Sequence, residues 1–511
     1  MLTKTQPDEI QNYLSDASYL KGGNASEVVF PETADEIAKI LAEATRTKTP
    51  VTVSGAGTGT VAGRVPLGGI VIATDKLNHI KSISSGSAIA EAGVRLIDLQ
   101  RAVEPEGLLY PPDPTERSCF IGGNIATNAS GARTFKYGPT RKYVERLQVA
   151  LATGDVIDVR RGESYADQNS IIRIPLPSGR FIEAKLPSYQ MPHVRKHASG
   201  YFIEPGMDVI DLFIGSEGTL GVIIEAELKL LPKPEGLLSG VVFFKDEADL
   251  LAFVHDARER SLLTRGSSPT VREGFGGNPT VRQGAEIDAR ALEYFDVESL
   301  RFLRQKYDTV PEPAVGAIFF EQETVATTED EVMNQWLSLL EAHHALSDQS
   351  WFATNGQDHA KLREFRHALP VLMNEWFARH NQRKVSTDMA VPDEAFAGML
   401  RFYQNALRGG DLRYTIFGHI GDNHVHVNIL PRNDEEAERA WTIYRQIIRR
   451  AVEVGGTISA EHGIGKLKRE YLRELYGDEH LREMALLKRA FDPAGILGRG
   501  NIFDTTYLLT T

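Results

Sequence analysis

Residues 418–428 read Gly418-His419-Ile420-Gly421-Asp422-Asn423-His424-Val425-His426-Val427-Asn428. The apolar run before them, Tyr414–Phe417, is typical of a β-strand. Gly421-Asp422-Asn423 supplies turn chemistry, because Gly and Asn tolerate positive φ. Beyond the turn, polar and apolar side chains alternate, with His424, His426 and Asn428 on one face and Val425, Val427 and Ile429 on the other. The pattern predicts a β-hairpin that brings His419 and His426 together on facing strands.

Imidazoles gathered on a hairpin suit a divalent transition metal such as Zn²⁺. A second segment, 455–465, contains the neighbours Glu461 and His462 between glycines. If that segment is extended, the two side chains point to opposite sides. Glu461 then completes a set of two His and one Glu, which leaves a coordination position open, as catalytic sites require. The alternatives are surface histidines on the hairpin and a loop with a solvated Glu and a capping His.

The length of 511 residues predicts two or more domains. A net charge of −12 argues against nucleic acid as a partner. The single cysteine, Cys119, excludes an internal disulfide and an all-Cys iron–sulfur cluster and favours a reducing, cytoplasmic setting. The N-terminus lacks the apolar core of a signal peptide, and no stretch reaches the ~18 apolar residues of a membrane span. Peripheral association with the inner membrane stays open.

The first third of the chain contains a glycine-rich turn after a short strand. A helix is predicted from the capping box Thr33/Glu36 to about Thr45, followed by the strand Val51–Val53. Residues 54–60, Ser-Gly-Ala-Gly-Thr-Gly-Thr, can aim backbone N–H groups at a phosphate. The turn lacks the Gly-Lys-Ser/Thr and Gly-x-Gly-x-x-Gly patterns and precedes another strand. It therefore fits neither a P-loop NTPase nor a Rossmann fold.

Further segments of small residues interrupt this region. Residues 110–115 and 121–131 are rich in Gly, Pro, Asn, Ser and Thr, and 215–221 forms another glycine-rich turn before a strand. Such runs let the backbone approach a flat or phosphorylated ligand, and long irregular loops within a compact domain are usually functional. Residues 232–236 resemble a domain boundary. Residues 264–286 are rich in Gly, Ser and Pro, and we expect a mobile loop there.

Together these motifs resemble the FAD-binding domain of the vanillyl-alcohol-oxidase type. From about Val29 to Phe503, the chain resembles the FAD-linked D-2-hydroxyacid dehydrogenases. The resemblance implies an α+β, two-domain flavoprotein whose second domain is a substrate cap built on a mainly antiparallel sheet. We expect an FAD-binding domain at 1–235, a cap with the substrate and metal site at 236–455, and a C-terminal segment, 456–511, that returns to the FAD domain.

The resemblance also implies the residues that hold FAD. They are Ser54, Gly55, Ala56, Gly57, Thr58, Pro112, Asp113, Thr115, Gly122, Gly123, Asn124, Thr127, Asn128, Ser130, Gly131, Glu217, Gly218, Gly221, Ile223 and Asn501. Some relatives bind flavin covalently through a histidine. The glycine-rich turn here has none, so we expect noncovalent FAD.

The family's metal motif matches this chain at His419, His426 and Asn428, and its Glu-His pair matches Glu461 and His462. The resemblance implies that His419, His426 and Glu461 bind the metal, most plausibly zinc or manganese. It implies that Asn428 belongs to the catalytic site and that His462 takes the substrate's hydroxyl proton. His424 replaces an Asn of the motif. The sequence leaves two roles open for His424, a fourth metal ligand and a proton relay. An exposed side chain is the favoured interpretation.

The substrate carboxylate needs a cation. The resemblance places Arg363 there, on a helical face shared with Arg366 and His367. Lys384 is a second candidate, because it shares a strand face with Ser386. A solvated charged surface is the alternative for Arg363 and for Lys384.

The resemblance implies oxidation of a D-2-hydroxy acid, of the D-lactate, glycolate or D-2-hydroxyglutarate type, to the 2-oxo acid. The hydride passes to flavin N5 and the electrons to a non-NAD acceptor: a quinone, a cytochrome, an electron-transfer flavoprotein or an iron–sulfur partner protein. The alternatives are an oxidase that uses O₂, an electron-transfer subunit with an idle site, and a zinc hydrolase. The hydrolase leaves the glycine-rich half unexplained. The sequence leaves open whether the chain forms a homodimer.

Overall fold

The computed structural model describes residues 1–266 and 286–509. Most of the mobile loop expected at 264–286 lies outside these residues. Within the described ranges, no helix combines the length and the apolar character that crossing a bilayer requires.

The strands are short in the N-terminal half and longer around residues 222–324. They are β1 (Leu2–Lys4), β2 (Glu27–Phe30), β3 (Val51–Ser54), β4 (Ile70–Ala73), β5 (Ile80–Ile83), β6 (Ser87–Glu91), β7 (Leu108–Leu109), β8 (Val144–Ala150), β9 (Val156–Arg160), β10 (Ile171–Pro175), β11 (Phe181–Lys185), β12 (Val222–Lys229), β13 (Leu231–Pro232), β14 (Gly236–Phe244), β15 (Ala289–Asp296), β16 (Gly316–Thr324), β17 (Trp351–Ala353), β18 (Val385–Ser386), β19 (Tyr414–Gly418) and β20 (His426–Ile429).

Helices cover and connect these strands. They are α1 (Pro7–Ile10), α2 (Ala34–Thr47), α3 (Leu96–Val103), α4 (Ile121–Ala126), α5 (Thr134–Tyr137), α6 (Ile210–Phe213), α7 (Glu247–Thr264), α8 (Val297–Leu303), α9 (Glu329–Ala342), α10 (Gly356–His380), α11 (Phe396–Gly409), α12 (Asp434–Glu453) and α13 (Arg469–Phe491), which breaks at Gly477. The Thr33 hydroxyl caps α2 by accepting from the Glu36 N–H, as predicted. The Glu36 carboxylate, however, accepts from the N–H of Glu32.

Two larger sheets and two two-stranded sheets, β10-β11 and β13-β7, build the N-terminal half. β1-β2-β4-β3 is mixed, with β2 and β3 parallel to β4, and β5-β6-β12-β8-β9 is antiparallel. β8 and β9 form a hairpin around Thr153-Gly154-Asp155. Apolar residues of β2, α2 and β12 share one core cluster with Ile496 and Leu497.

The second half is organised on a seven-stranded antiparallel sheet, in the order β17-β14-β16-β15-β19-β20-β18. This agrees with the α+β class and the antiparallel cap expected from the sequence. Helix α10 packs on one sheet face through Leu362, Phe365 and Leu369, against Phe295 and Phe319. That face also carries the polar residues described below.

Residues 461–501 contact the glycine-rich region of the first half. Val51 pairs with Leu497 in an isolated bridge, and the Asn501 amide donates to the carbonyls of Gly63 and Glu217. Specific hydrogen bonds thus connect this segment to the glycine-rich region. The three domain boundaries stay predictions.

Candidate functional site

The hairpin predicted at 414–429 is present. β19 and β20 pair in antiparallel register, with Phe417 opposite His426. Residues Ile420–Asp422 form a single 3₁₀ turn, and Asn423 adopts φ = 53°, a left-handed conformation that Asn tolerates. The turn reverses the chain so that the His424 N–H donates to the His419 carbonyl at 3.2 Å.

The hairpin histidines converge with Glu461. Ligand atoms of His419, His424, His426 and Glu461 all lie within 4.8 Å of one another. His424 is 0% exposed, so the favoured interpretation of an exposed side chain was wrong. Alternation beyond the turn had placed His424 on the same face as His426, and their ring centroids lie 4.5 Å apart.

His419 and His426 are oriented by oxygen acceptors. His419 Nδ1 lies 2.6 Å from Glu293 Oε1, and its Nε2 lies 2.9 Å from Glu461 Oε1. Burial opposes the charged His419 ring, but Glu293 and Glu461 outweigh it and raise its pKa to about 9. His426 Nδ1 lies 2.9 Å from the carbonyl of Thr387. Because a carbonyl can only accept, this leaves His426 Nε2 with its lone pair.

The four side chains offer the nitrogen and oxygen donors that a divalent cation binds, and such a cation would displace the proton that Glu293 and Glu461 stabilise on His419. Burial lowers the pKa of His424 and holds that of His426 well below its usual range, which favours the neutral, ligating imidazole. Burial opposes ionisation of Glu461, but His419 and Lys196 outweigh it and hold its pKa well below the usual range. His424 Nδ1 is buried without a hydrogen-bond partner in the described part of the chain. A metal would satisfy this nitrogen.

Two residues beside the cluster were missed in the sequence. Lys196 is fully buried, and its Nζ lies 2.7 Å from Glu461 Oε1 and 2.9 Å from the Gly131 carbonyl. Glu293, on β15, accepts from Arg366 as well as from His419. Both are far from their partners in sequence, so only chain topology brings them together. The alternating pattern of β15 offered a weak signal for Glu293.

His462 is not one of the four donors and lines a separate cavity. Its side chain is 37% exposed, and its Nδ1 lies 3.1 Å from Asp388 Oδ2. The ring centroids of His462 and His426 are 5.7 Å apart. Glu461 thus belongs to the cluster and His462 to the cavity beside it, although the backbone at these two residues is a bend and not the extended segment considered in the sequence.

The cavity beside His462 is enclosed by the glycine-rich turns. The predicted FAD residues on its wall are Gly55, Ala56, Gly57, Thr58, Gly122, Gly123, Asn124, Thr127, Glu217, Gly218, Gly221 and Ile223. The others lie outside this wall: Ser54, Pro112, Asp113, Thr115, Asn128, Ser130, Gly131 and Asn501. The wall also contains Arg64, Cys119 and Phe120, which we did not predict.

The cavity fits a flavin dinucleotide in two respects. A Cβ added at Gly59 or Gly123 would meet no atom within 4 Å, so both backbones border open space. The Asn124 amide nitrogen is buried without a hydrogen-bond partner among residues 1–266 and 286–509. Small residues and an unsatisfied donor are what close approach to a polar planar ligand requires.

Glu217 connects the cavity to the segment that follows His462. Its carboxylate accepts from the N–H groups of Ile464 at 2.7 Å and Gly465 at 2.6 Å. Burial raises the pKa of Glu217 to about 7, against the opposing effect of these two donors. These two hydrogen bonds hold the cavity wall to the segment that follows His462.

The remaining predicted site residues differ in environment. Arg363 is exposed on α10 and forms no ion pair or hydrogen bond with any residue that the structure describes, while Arg366 pairs with Glu293 at 3.1 Å. Lys384 is also exposed, but desolvation by the surrounding protein lowers its pKa to about 8. Asn428 is buried, accepting from Ser386 Oγ and donating to the His426 carbonyl. It is adjacent to the cluster through the backbone of His426.

A mixed-sheet half with a glycine-lined cavity, joined to an antiparallel cap, defines a flavoprotein oxidoreductase. Residues 25–160 match the family described as FAD binding domain, and residues 269–502 match the FAD linked oxidases, C-terminal domain. The chain therefore belongs to the FAD-linked oxidoreductases related to D-lactate dehydrogenase, glycolate oxidase and D-2-hydroxyglutarate dehydrogenase, and it is an FAD-dependent enzyme.

Three relatives illustrate the similarity. The chain is 32% identical to D-lactate dehydrogenase of Anaerostipes hadrus, covering 97% of this chain and 93% of the relative. It is 31% identical to glycolate oxidase subunit GlcD of Bacillus subtilis, covering 93% and 88%. It is 27% identical to D-2-hydroxyglutarate dehydrogenase of Stutzerimonas stutzeri, covering 98% and 95%. A solved alkyldihydroxyacetonephosphate synthase shares the fold, with a TM-score of 0.66 at 15% identity over 97% and 81% of the two chains.

Proposed function

We propose that this enzyme oxidises a D-2-hydroxy acid to the 2-oxo acid with the help of a divalent metal. One observation carries the proposal: the imidazole and carboxylate donors of the hairpin cluster lie beside His462, which itself lines the flavin cavity. One region therefore contains the donors for a metal that would bind the substrate's oxygens, a base (His462) for its proton, and the cavity for the flavin that would accept its hydride. D-lactate, glycolate and D-2-hydroxyglutarate are the candidate substrates.

His419, His426 and Glu461 would hold the metal, with His424 as a fourth donor. When bound, a divalent ion would supply Lewis acidity toward the substrate's oxygens, and FAD would supply the hydride acceptor. The chain's own contribution is positional: Glu293 and the Thr387 carbonyl fix the two imidazoles, and Lys196 stands beside Glu461.

His462 takes the hydroxyl proton at its free ring nitrogen. The exposed Arg363 binds the substrate carboxylate as a two-pronged donor, and Lys384 offers a second positive charge. The substrate therefore loses a proton to His462 and a hydride to FAD, and the carbon that bore the hydroxyl becomes a carbonyl. The electrons then pass to an acceptor other than NAD, such as a quinone or an electron-transfer protein.

The test is a panel of D- and L-2-hydroxy acids assayed anaerobically with an artificial dye acceptor. We expect activity with D-acids or glycolate and none with the L-isomers. Exhaustive chelation should abolish activity but preserve the flavin spectrum, and zinc or manganese should restore it. Activity that persists with no metal detectable by mass spectrometry would refute the ligand assignment. Faster turnover with O₂ than with the dye would identify an oxidase.

A further inference from the structure

Asp388 is a carboxylate at the centre of the candidate site to which neither the sequence motifs nor the relatives assign a role. It follows β18 and is 1% exposed. Its Oδ2 lies 3.1 Å from His462 Nδ1, and it accepts from Lys468 Nζ at 2.7 Å and from Ser459 Oγ at 2.6 Å. Its Oδ1 lies 3.2 Å from His424 Nε2. One buried side chain therefore contacts both the candidate base and the metal cluster.

Donors surround the Asp388 carboxylate. The Lys468 ammonium lies 2.7 Å from Oδ2 and supplies a positive charge that balances the carboxylate. It also accepts from the backbone N–H groups of Glu461 and His462 at 3.2 Å each. Together, these hydrogen-bond donors fix the orientation of the Asp388 carboxylate.

The contact with His462 decides which ring nitrogen is available. A carboxylate can only accept, so the His462 nitrogen that faces Asp388 carries the proton. The other nitrogen, Nε2, then keeps its lone pair on a side chain that lines the flavin cavity. The aspartate of a Ser-His-Asp triad fixes the tautomer of its histidine in the same way.

We propose that Asp388 is a positioning residue that holds His462 in the Nδ1–H tautomer, so that Nε2 receives the substrate's hydroxyl proton. The kinetic part of this inference rests on the proposed function. The tautomer itself does not, because it concerns only the oxidised enzyme without substrate.

The first experiment is ¹⁵N NMR of the oxidised holoenzyme labelled at histidine, with the His462 signals identified by their loss in His462→Gln. The chemical shifts of Nδ1 and Nε2 separate the two neutral tautomers. We expect protonated Nδ1 and bare Nε2 in the neutral ring. An Nε2–H tautomer in the wild type overturns the proposal, whether or not any hydroxy acid proves to be a substrate.

The second experiment compares Asp388→Asn with Ser459→Ala, which removes a different donor from the same Oδ2. Flavin and metal contents are measured first. In Asp388→Asn, we expect loss of the Nδ1–H preference and about a 10²-fold lower limiting rate of anaerobic flavin reduction by the preferred acid. The substrate dissociation constant should change less than about threefold, and Asp388→Glu should recover part of the rate. Ser459→Ala should stay within about threefold of the wild type.

Equal rate losses in Asp388→Asn and Ser459→Ala would reduce Asp388 to a structural role and overturn the proposal. So would an Asp388→Asn enzyme that reduces its flavin at the wild-type rate. If no acid reduces the wild-type flavin, the proposed function fails, and the tautomer measurement still decides on Asp388.

Discussion

Arg363 is the residue on which substrate affinity should depend most. It is exposed on α10 with its guanidinium free for a ligand, unlike Arg366, which is committed to Glu293. Arg363→Met should raise KM sharply, and Arg363→Lys should recover only part of the loss, because Lys lacks the planar fork. Arg379→Met, on the same helix, is the control. Steady-state kinetics that are equal in wild type and Arg363→Met would move the role to another cation.

His462 should affect only the chemical step, which is the reduction of the flavin by the substrate. A positioned general base contributes ~10²–10⁴-fold, so His462→Ala should slow anaerobic flavin reduction by about that factor. Flavin and metal contents should not change, because His462 is not one of the four cluster donors. Loss of metal in this variant would show that His462 is a ligand. Unchanged reduction kinetics would mean that another group is the base.

If Lys384 binds the substrate, substrate affinity should depend on pH in the alkaline range. Its pKa is lowered to about 8 by desolvation, so the side chain is a cation below that pH and neutral above it. If it binds an anionic group of the substrate, KM should rise as the pH rises through about 8. Lys384→Arg should keep affinity constant across this range, because Arg stays charged. A wild-type KM that is flat from pH 7 to 9 would exclude this role.

At the scale of the element, the turn of the hairpin sets the geometry of the cluster. Asn423→Gly and Asn423→Ala both remove the amide that contacts Asp393, but only Ala resists φ = 53°. A left-handed L-residue costs roughly 1–2 kcal/mol. We therefore expect the Ala variant to be about 1 kcal/mol less stable than the Gly variant by denaturant titration. It should also bind metal more weakly, whereas identical midpoints would show that the turn relaxes without strain.

Local elements could be read from the sequence, but their assembly could not. The hairpin β19–β20 depends on neighbouring residues, so alternation and turn chemistry sufficed to predict it. Lys196 and Glu461 lie 265 residues apart, and no spacing indicates that they meet. Alternation put His424 on the face of His426, but its burial also depends on Asp388 and Glu461, which other parts of the chain supply. Glu293 required knowledge that β15 lies next to β19.

At the scale of the whole molecule, FAD should be bound without a covalent link. The wall of the cavity is composed largely of glycine and other small residues, and no histidine lies in its glycine-rich turn. Purified protein should be yellow, and acid precipitation should release all of the flavin. Reconstitution of apoprotein with FAD should raise Tm, since a ligand stabilises the state that it binds. Flavin that stays with the precipitate would disprove noncovalent attachment.

The contacts of residues 461–501 with the first half have a consequence for biosynthesis. Among the described residues, the Glu217 carboxylate accepts from Ile464 and Gly465, and the Gly63 carbonyl accepts from the Asn501 amide. Ile464 lies 247 residues after Glu217, so the ribosome makes the glycine-rich turns long before it makes these partners. We therefore expect a nascent chain to complete the pocket only once translation has passed Asn501, and to retain FAD firmly only after that point.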